Sequence, residues 1–204
     1  MQYKQEAGIV PLDSKFPPFE TLLKSFVDPA KTTTQDKFIE NLGPLNGRIT
    51  STKTWSTIGT TGAYWTVYNG YLATTTAGNS RALIPHATSG KIHIAVDWRS
   101  GFAGLIIRGL DQNNYIQISI ALANNGLRVE KVVAGVNTLL GTKGLTMTVG
   151  KIFQLGVEYD ANTIKVYVDN ELSLELNETA LNTNLNVGIV SSTPDNKIKD
   201  WTGR

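Results

Sequence analysis

An alternation of apolar and polar residues recurs through the middle and C-terminal parts of the chain. In the segment 91–98 the even positions are apolar and most odd positions are polar, and the segments 115–120 and 163–169 repeat the pattern. A period of two with one apolar face is typical of half-buried strands in an antiparallel sheet. The pattern places Ile94, Ile118 and Val166 on the apolar faces, and we expect all three to be buried.

Short segments of this kind follow one another closely and are separated by Gly, Asn and Asp. Pairs such as Asn69-Gly70 and Asp169-Asn170 accept the positive φ angles of tight hairpins. Many short strands without interleaved helices predict an all-β fold, an antiparallel β-sandwich or jelly roll. The predicted strands are 63–68, 70–76, 81–85, 91–98, 103–109, 115–121, 127–133, 136–140, 151–159, 163–168, 171–176 and 185–192.

The first 35 residues follow a different pattern. Five apolar residues from Phe19 to Val27 recur at the spacing of one helix face, with Pro17-Pro18 before them and Asp28-Pro29 after them. The sequence therefore predicts an N-terminal adaptor segment, 1–35, with a short amphipathic helix and a linker, followed by a β-sandwich domain, 36–204. A helix this short needs a docking surface, and the sequence leaves open whether that surface is the sandwich or a partner.

Charge and composition exclude several classes of function. The chain has 19 basic and 17 acidic residues, a net charge of +2 and no basic run, so we expect no nucleic-acid partner. No stretch approaches eighteen apolar residues, which predicts no membrane insertion. The chain has no cysteine, which excludes disulfides and thiolate metal sites. The first thirty residues lack the apolar core of a signal peptide.

Four stretches carry a resemblance to a known family. Gly62 to Gly70 reads G-x-x-W-x-V-x-x-G, and the others are 103–115, 150–170 and 186–201. In this order they resemble the concanavalin A-like lectin/glucanase superfamily, in its laminin-G-like branch. The resemblance covers about residues 37–201 and implies a β-sandwich more strongly than it implies any ligand.

The resemblance, together with a Thr- and Asn-rich composition and the appended helix, favours a carbohydrate-binding or adhesion module. We expect a component of a bacteriophage virion (tail, fibre or capsid decoration) that contacts host-surface glycans. The alternative is a purely structural virion protein whose sandwich contacts other subunits and binds no sugar. The expected location is the virion or the extracellular space, with a surface glycan or other virion subunits, reached through the N-terminal segment, as partners. A homo-oligomer is left open.

The sequence contains no catalytic motif of the superfamily and one weak metal-binding pattern. Glucanases of the superfamily carry a Glu-x-Asp-x-x-Glu strand, whose carboxylates serve as acid and nucleophile, and this chain has no such array. The sequence therefore predicts no catalytic residues and no enzyme. Calcium is the cofactor left open, with Asp111, Asn113 and Asn114 as candidate ligands and a plain hairpin turn as the alternative interpretation.

Residues that alternate with the apolar ones are the candidates for a ligand face. Sugars are bound by aromatic faces and by planar polar side chains that satisfy paired hydroxyls. The candidate ligand-binding residues are therefore His93, Asp97, Arg108, Tyr115 and Gln117, provided that their strands adjoin. The alternative is an ordinary hydrated sheet face.

Overall fold

The computed structural model describes residues 34–38, 43–50, 53–59 and 65–204. These residues belong to one unit of the chain, 33–204, and the predicted amphipathic helix lies outside them. Apart from one 3₁₀ turn at Leu122–Asn124, their regular structure consists of strands, numbered here along the chain. The strands are β1 Thr34–Asp36, β2 Gly43–Pro44, β3 Ile49–Thr50, β4 Lys53–Thr54, β5 Ser56–Gly59, β6 Trp65–Tyr68, β7 Tyr71–Thr74, β8 Ser80–Pro85, β9 Gly90–Asp97, β10 Phe102–Asp111, β11 Asn114–Ala121, β12 Gly126–Val133, β13 Val136–Gly144, β14 Ile152–Tyr159, β15 Thr163–Val168, β16 Glu171–Asn177, β17 Asn186–Ser191 and β18 Lys197–Gly203.

The described strands form two large antiparallel sheets and one small ladder. The nine-stranded sheet has the order β16-β15-β14-β9-β18-β7-β6-β2, with β1 also paired to β18. The seven-stranded sheet has the order β13-β12-β11-β10-β17-β8-β5, and β3 pairs with β4 alone. The predicted all-β antiparallel sandwich is confirmed.

The two large sheets share one hydrophobic core. It joins residues of the nine-stranded sheet, such as Ile94 and Val166, to residues of the seven-stranded sheet, such as Leu105 and Ile118. The predicted burial of Ile94, Ile118 and Val166 is confirmed, since the exposed fraction of each side chain is 0%. Strand alternation thus sends one set of residues into the core and leaves the next set on an outer face.

The predicted strands from residue 63 onward all have counterparts. β18 is missing from the list of predicted strands, and so are β1 to β5. These five strands have two to four residues each, which is too short for a period of two to stand out. The predicted turn at Asp169-Asn170 has φ angles of 51° and 69° at its two residues, the values that a tight hairpin of type I′ requires. Among the described residues, no helix has the length and apolar character needed to cross a membrane.

A buried ion pair ties the short N-terminal strands together. The Asp36 carboxylate accepts hydrogen bonds from Arg48 Nε at 2.6 Å, from Thr50 Oγ at 2.8 Å and from the Phe38 backbone amide at 2.9 Å. Thr50 Oγ in turn accepts a hydrogen bond from Trp55 Nε1, and the Trp55 ring packs edge-on against Trp201 of β18. This network connects the segment before β6 to the core.

The pKa of Asp36 makes this network sensitive to acid. Burial pushes the pKa of Asp36 upward, but hydrogen bonds from Arg48, Phe38 and Thr50 outweigh that effect and hold the pKa below its ordinary value. A carboxyl group with a lowered pKa in the folded state stabilises the protein fully above its unfolded-state pKa, about 4. That contribution is lost as the pH falls through the lowered folded-state pKa.

We therefore expect Asp36→Asn to lower the free energy of unfolding at neutral pH and to weaken its decline in acid. Denaturant unfolding of parent and variant between about pH 2 and pH 7 checks this expectation, because the difference between the two curves isolates Asp36 from the other carboxyl groups. Curves that run parallel below about pH 4 would contradict it.

Candidate functional site

A groove lies on the outer face of the seven-stranded sheet, the face that points away from the core. Its volume is about 420 Å³, within the range of small-molecule sites. Its floor comes from β11 and β12, where Ile116, Ile118 and Val129 enter the core and the alternate residues face outward. The residues that define this outer groove are Arg81, Phe102, Tyr115, Gln117, Ser119, Arg128 and Glu130, with Asn79, Gln112, Asn113 and Asn137 around them.

The strand register explains why these side chains meet. In the β11–β12 hairpin, Gln117 pairs with Glu130 and Ser119 pairs with Arg128. Residues directly opposite each other in a sheet project from the same face. The hairpin therefore presents an amide, a hydroxyl, a carboxylate and a guanidinium side by side.

Two contacts order this hairpin surface. Gln117 Nε2 donates a hydrogen bond to Ser119 Oγ at 3.3 Å, and Arg128 Nη2 forms an ion pair with Glu130 Oε1. Gln117 and Glu130 each keep an exposed fraction of only 6%. The floor of the outer groove is thus polar, largely enclosed and internally paired.

Arg81 approaches the groove from the other side. It lies on β8, which is separated from β11 by β17 and β10, and its Cζ atom lies 4.6 Å from the centre of the Tyr115 ring. This is the distance of a cation–π contact. Burial raises the pKa of Tyr115, and the neighbouring Arg81 opposes that rise, so the phenol is neutral at physiological pH.

The middle of the outer face is low because two strands carry glycine there. Gly104 of β10 pairs with Ser119 and Val190, and Gly188 of β17 pairs with Ile106 and Leu83. A Cβ atom at Gly104 would overlap the carbonyl oxygen of Ile118, and one at Gly188 would overlap that of Ala82. The tight backbone therefore requires glycine at both positions, and no side chain rises from them.

The five predicted ligand residues do not form one cluster. Tyr115 and Gln117 lie in the outer groove. His93 and Asp97 lie on β9 of the other sheet. The Asp97 carboxylate accepts hydrogen bonds from Arg99 Nε at 2.7 Å and Arg99 Nη2 at 3.1 Å. Burial lowers the pKa of His93, while Asp200 and Gln154 oppose that shift. The strand of His93 and Asp97 is therefore not a neighbour of the strand that carries Tyr115 and Gln117, and these two residues are not part of the groove.

Arg108 lies inside the protein rather than on a face. A β-bulge shifts the register of β10 after Ile107, and Arg108 itself has a left-handed φ of 50°. The bulge breaks the alternation that would have pointed this residue outward. Its guanidinium instead donates to the carbonyl oxygens of Asp160 at 2.6 Å, Glu178 at 2.7 Å and Ala180 at 3.0 Å.

The candidate calcium ligands form a turn in which their side-chain oxygens already accept hydrogen bonds. Asp111 Oδ1 accepts a hydrogen bond from the Asn113 backbone amide at 2.7 Å, and both carboxylate oxygens accept from Asn114 Nδ2. Asn114 Oδ1 accepts from the Ala134 amide at 3.0 Å. These oxygens face amide hydrogens, as the alternative hairpin interpretation requires. Within the part of the chain that the structure describes, no group of three or more His, Asp and Glu side chains could hold a metal ion.

Three charged residues of the outer groove were not among the predicted ligand residues: Arg81, Arg128 and Glu130. Arg128 and Glu130 alternate with the core residues Leu127 and Val129, and this alternation along β12 is the signal that both face outward. Arg81 alternates in the same way with the core residues Ala82 and Ile84, but no local signal places it next to Tyr115. Its strand meets β11 only through two intervening strands.

Comparison with known proteins supports the assignment of the fold. No family model and no curated protein matches the sequence. Among solved structures, the carbohydrate-binding module CBM66 from Bacillus subtilis matches with a TM-score of 0.60 and 15% identity, over 76% of this chain and 92% of that one. SCLam, a non-specific endo-β-1,3(4)-glucanase of family GH16, matches with a TM-score of 0.57 and 8% identity, over 83% and 89%. The galectin LEC-6 from Caenorhabditis elegans matches with a TM-score of 0.50 and 9% identity, over 65% and 93%.

These similarities define the class of fold. The chain has the concanavalin A-like, jelly-roll β-sandwich that carbohydrate-binding modules, galectins and glycoside hydrolases share. The predicted resemblance to that superfamily is confirmed at the level of the fold, which is a sugar-binding fold in these relatives.

The prediction that the chain is not an enzyme is wrong. The structures with the same fold include a glycoside hydrolase, the GH16 glucanase, and the chain also matches 38% of the length of a GH43 protein from Bacillus licheniformis. The prediction depended on the absence of one contiguous motif, whereas a sandwich can bring carboxylates together from separate strands. Among the described lining residues of the outer groove, Glu130 is the single carboxylate.

Proposed function

We propose that the protein binds carbohydrate in the outer groove of the seven-stranded sheet. The observation that carries the proposal is the enclosed polar floor formed by Gln117, Ser119, Arg128 and Glu130 within a groove of about 420 Å³. Paired hydroxyls on a sugar ring need neighbouring donors and acceptors, and amide, hydroxyl and carboxylate groups supply both.

The rim of the groove adds the remaining features of a sugar site. Asn79, Gln112, Asn113 and Asn137 place further planar amides around the floor. Phe102, which is half-buried at the end of β10, offers an aromatic surface for the C–H face of a ring. Tyr115, with an exposed fraction of 4% and Arg81 against its ring, supports Arg81 instead of stacking on a sugar.

The biological setting that we propose is attachment of a bacteriophage virion to host-surface glycans, with the N-terminal segment 1–35 contacting other virion subunits. This part depends on the sequence alone, on the apolar stripe from Phe19 to Val27 and the absence of cysteine. The alternative is a structural virion protein that binds no sugar. Sugar binding by the purified chain separates the two.

The test compares two matched glutamine variants. Gln117→Ala removes an amide from the outer groove, whereas Gln154→Ala removes one from β14 in the nine-stranded sheet. We expect the parent to bind members of a glycan array and Gln117→Ala to bind the strongest of them about tenfold more weakly, the loss of one good hydrogen bond. Gln154→Ala should bind like the parent.

Titration calorimetry with the strongest array member gives the dissociation constants. Thermal unfolding of both variants checks that the fold is intact. Equal affinities of the parent and Gln117→Ala, or a loss confined to Gln154→Ala, would refute the assignment of the groove. A parent that binds no glycan would favour the structural alternative.

A further inference from the structure

We infer that the outer groove selects sugars that carry a carboxylate, with Arg81 as the residue that recognises it. This inference depends on the proposed function and names the ligand class of the same site. It arises from the charges of the groove and from the position of one guanidinium.

The charges of the groove do not cancel. Its charged lining residues, within the part of the chain that the structure describes, are Arg81, Arg128 and Glu130. Arg128 is neutralised by its ion pair with Glu130, while the ion pairs among the described residues include none made by Arg81. A neutral sugar would leave this positive charge uncompensated in a partly enclosed site, and an acidic sugar would compensate it.

The guanidinium of Arg81 is already held in place. Its Cζ atom lies over the Tyr115 ring, 4.6 Å from the ring centre. Arg81 also makes a side-chain hydrogen bond with Tyr115, and its remaining Nη N–H groups can pair with the oxygens of a carboxylate. Because the side chain is fixed before binding, little conformational entropy is lost when the ligand arrives.

The Nε atom of Arg81 also lacks a partner. It is buried and makes no hydrogen bond in the described structure. A buried donor without an acceptor destabilises a protein, and Arg128 Nε in the same groove is unpaired in the same way. A carboxylate paired with the Nη groups of Arg81 would place its negative charge close to the unpaired Nε. The uncompensated charge and the unpaired donor thus belong to the same group.

The experiment uses the full chain and pairs of probes that differ only in charge. Oligomers of galacturonate, of alginate and of hyaluronan are compared with their carboxyl methyl esters, alongside neutral oligosaccharides. We expect the parent to bind at least one acid about tenfold or more tightly than its ester. This preference should weaken as the salt concentration rises.

Three variants assign the preference to Arg81. Arg81→Gln should bind the acid and its ester equally, because it loses the positive charge. Arg81→Lys should keep part of the preference, because it keeps the charge and loses the fork. Lys197→Gln is the matched control, since Lys197 Nζ lies 4.8 Å from the centre of the Tyr71 ring in the other sheet, and it should keep the parental preference.

The outcomes separate this inference from the proposed function. Neutral glycans that bind at the groove with no preference for acids would overturn the inference and leave the proposed function standing. An acid preference that survives Arg81→Gln, or disappears with Lys197→Gln, would also overturn it. Absence of binding to every saccharide would overturn both.

Discussion

Replacing Arg108 with methionine should lower the free energy of unfolding by about 3 to 5 kcal/mol, the range for losing one partner of a buried charged interaction. Arg108 has an exposed fraction of 0%, and its three hydrogen bonds connect β10 to the turn after β14 and to the segment after β16. Methionine fills much of the volume but leaves the three carbonyl oxygens without their donor.

Two further variants keep this prediction testable. Arg108→Lys retains the charge, but one ammonium group is a poor match for three separate carbonyl oxygens. The decrease in its free energy of unfolding should therefore be intermediate. This variant can be measured even if Arg108→Met does not fold. Lys165→Met removes an exposed ion pair with Glu175 and should cost at most about 1 kcal/mol. Denaturant unfolding measures all three, and a loss for Arg108→Met as small as that for Lys165→Met would contradict the role assigned to Arg108.

Truncation of Ile118 to alanine should lower the free energy of unfolding by about 2 to 5 kcal/mol. Ile118 lies in the middle of β11 with an exposed fraction of 0%. Its neighbours in the sheet are Leu105 on β10 and Val129 on β12, which enter the same core. Removing its side chain therefore leaves a cavity that surrounding strands, fixed by their hydrogen bonds, fill only in part.

The control for this prediction is an exposed apolar residue of the same sheet. Val136 on β13 has an exposed fraction of 68%, and Val136→Ala should change the free energy of unfolding by no more than about 0.5 kcal/mol. If Ile118→Ala unfolds at the same denaturant concentration as Val136→Ala, the alternation assigned to β11 is shifted by one residue.

Local patterns in the sequence were enough to predict most of the fold. The alternation in β9, β11 and β15 marks the core face of each strand, and turns such as Asp169-Asn170 mark the hairpins. Both signals are local, and the structure preserves them. The pairing of distant strands could not be predicted in this way, because no local pattern in β9 or β11 indicates that they belong to different sheets.

The candidate site shows the same limit. Tyr115 and Gln117 were predicted correctly to face away from the core, because they alternate with Ile116 and Ile118. Arg108 was misplaced because a single bulge with a left-handed φ reverses its direction, and no local pattern announced that bulge. Arg81 lies at the groove because of the order of the strands in the sheet, and local sequence patterns do not predict that order.

Sugar binding in the outer groove of the seven-stranded sheet can be located residue by residue. The most direct test is NMR: backbone amide shifts of the full chain are mapped while the strongest glycan from the array is added. We expect the largest shifts to cluster at Gln117, Ser119 and Glu130, which line the groove. Shifts that clustered instead around His93 and Gln154 on the nine-stranded sheet would rule out the outer groove as the sugar site.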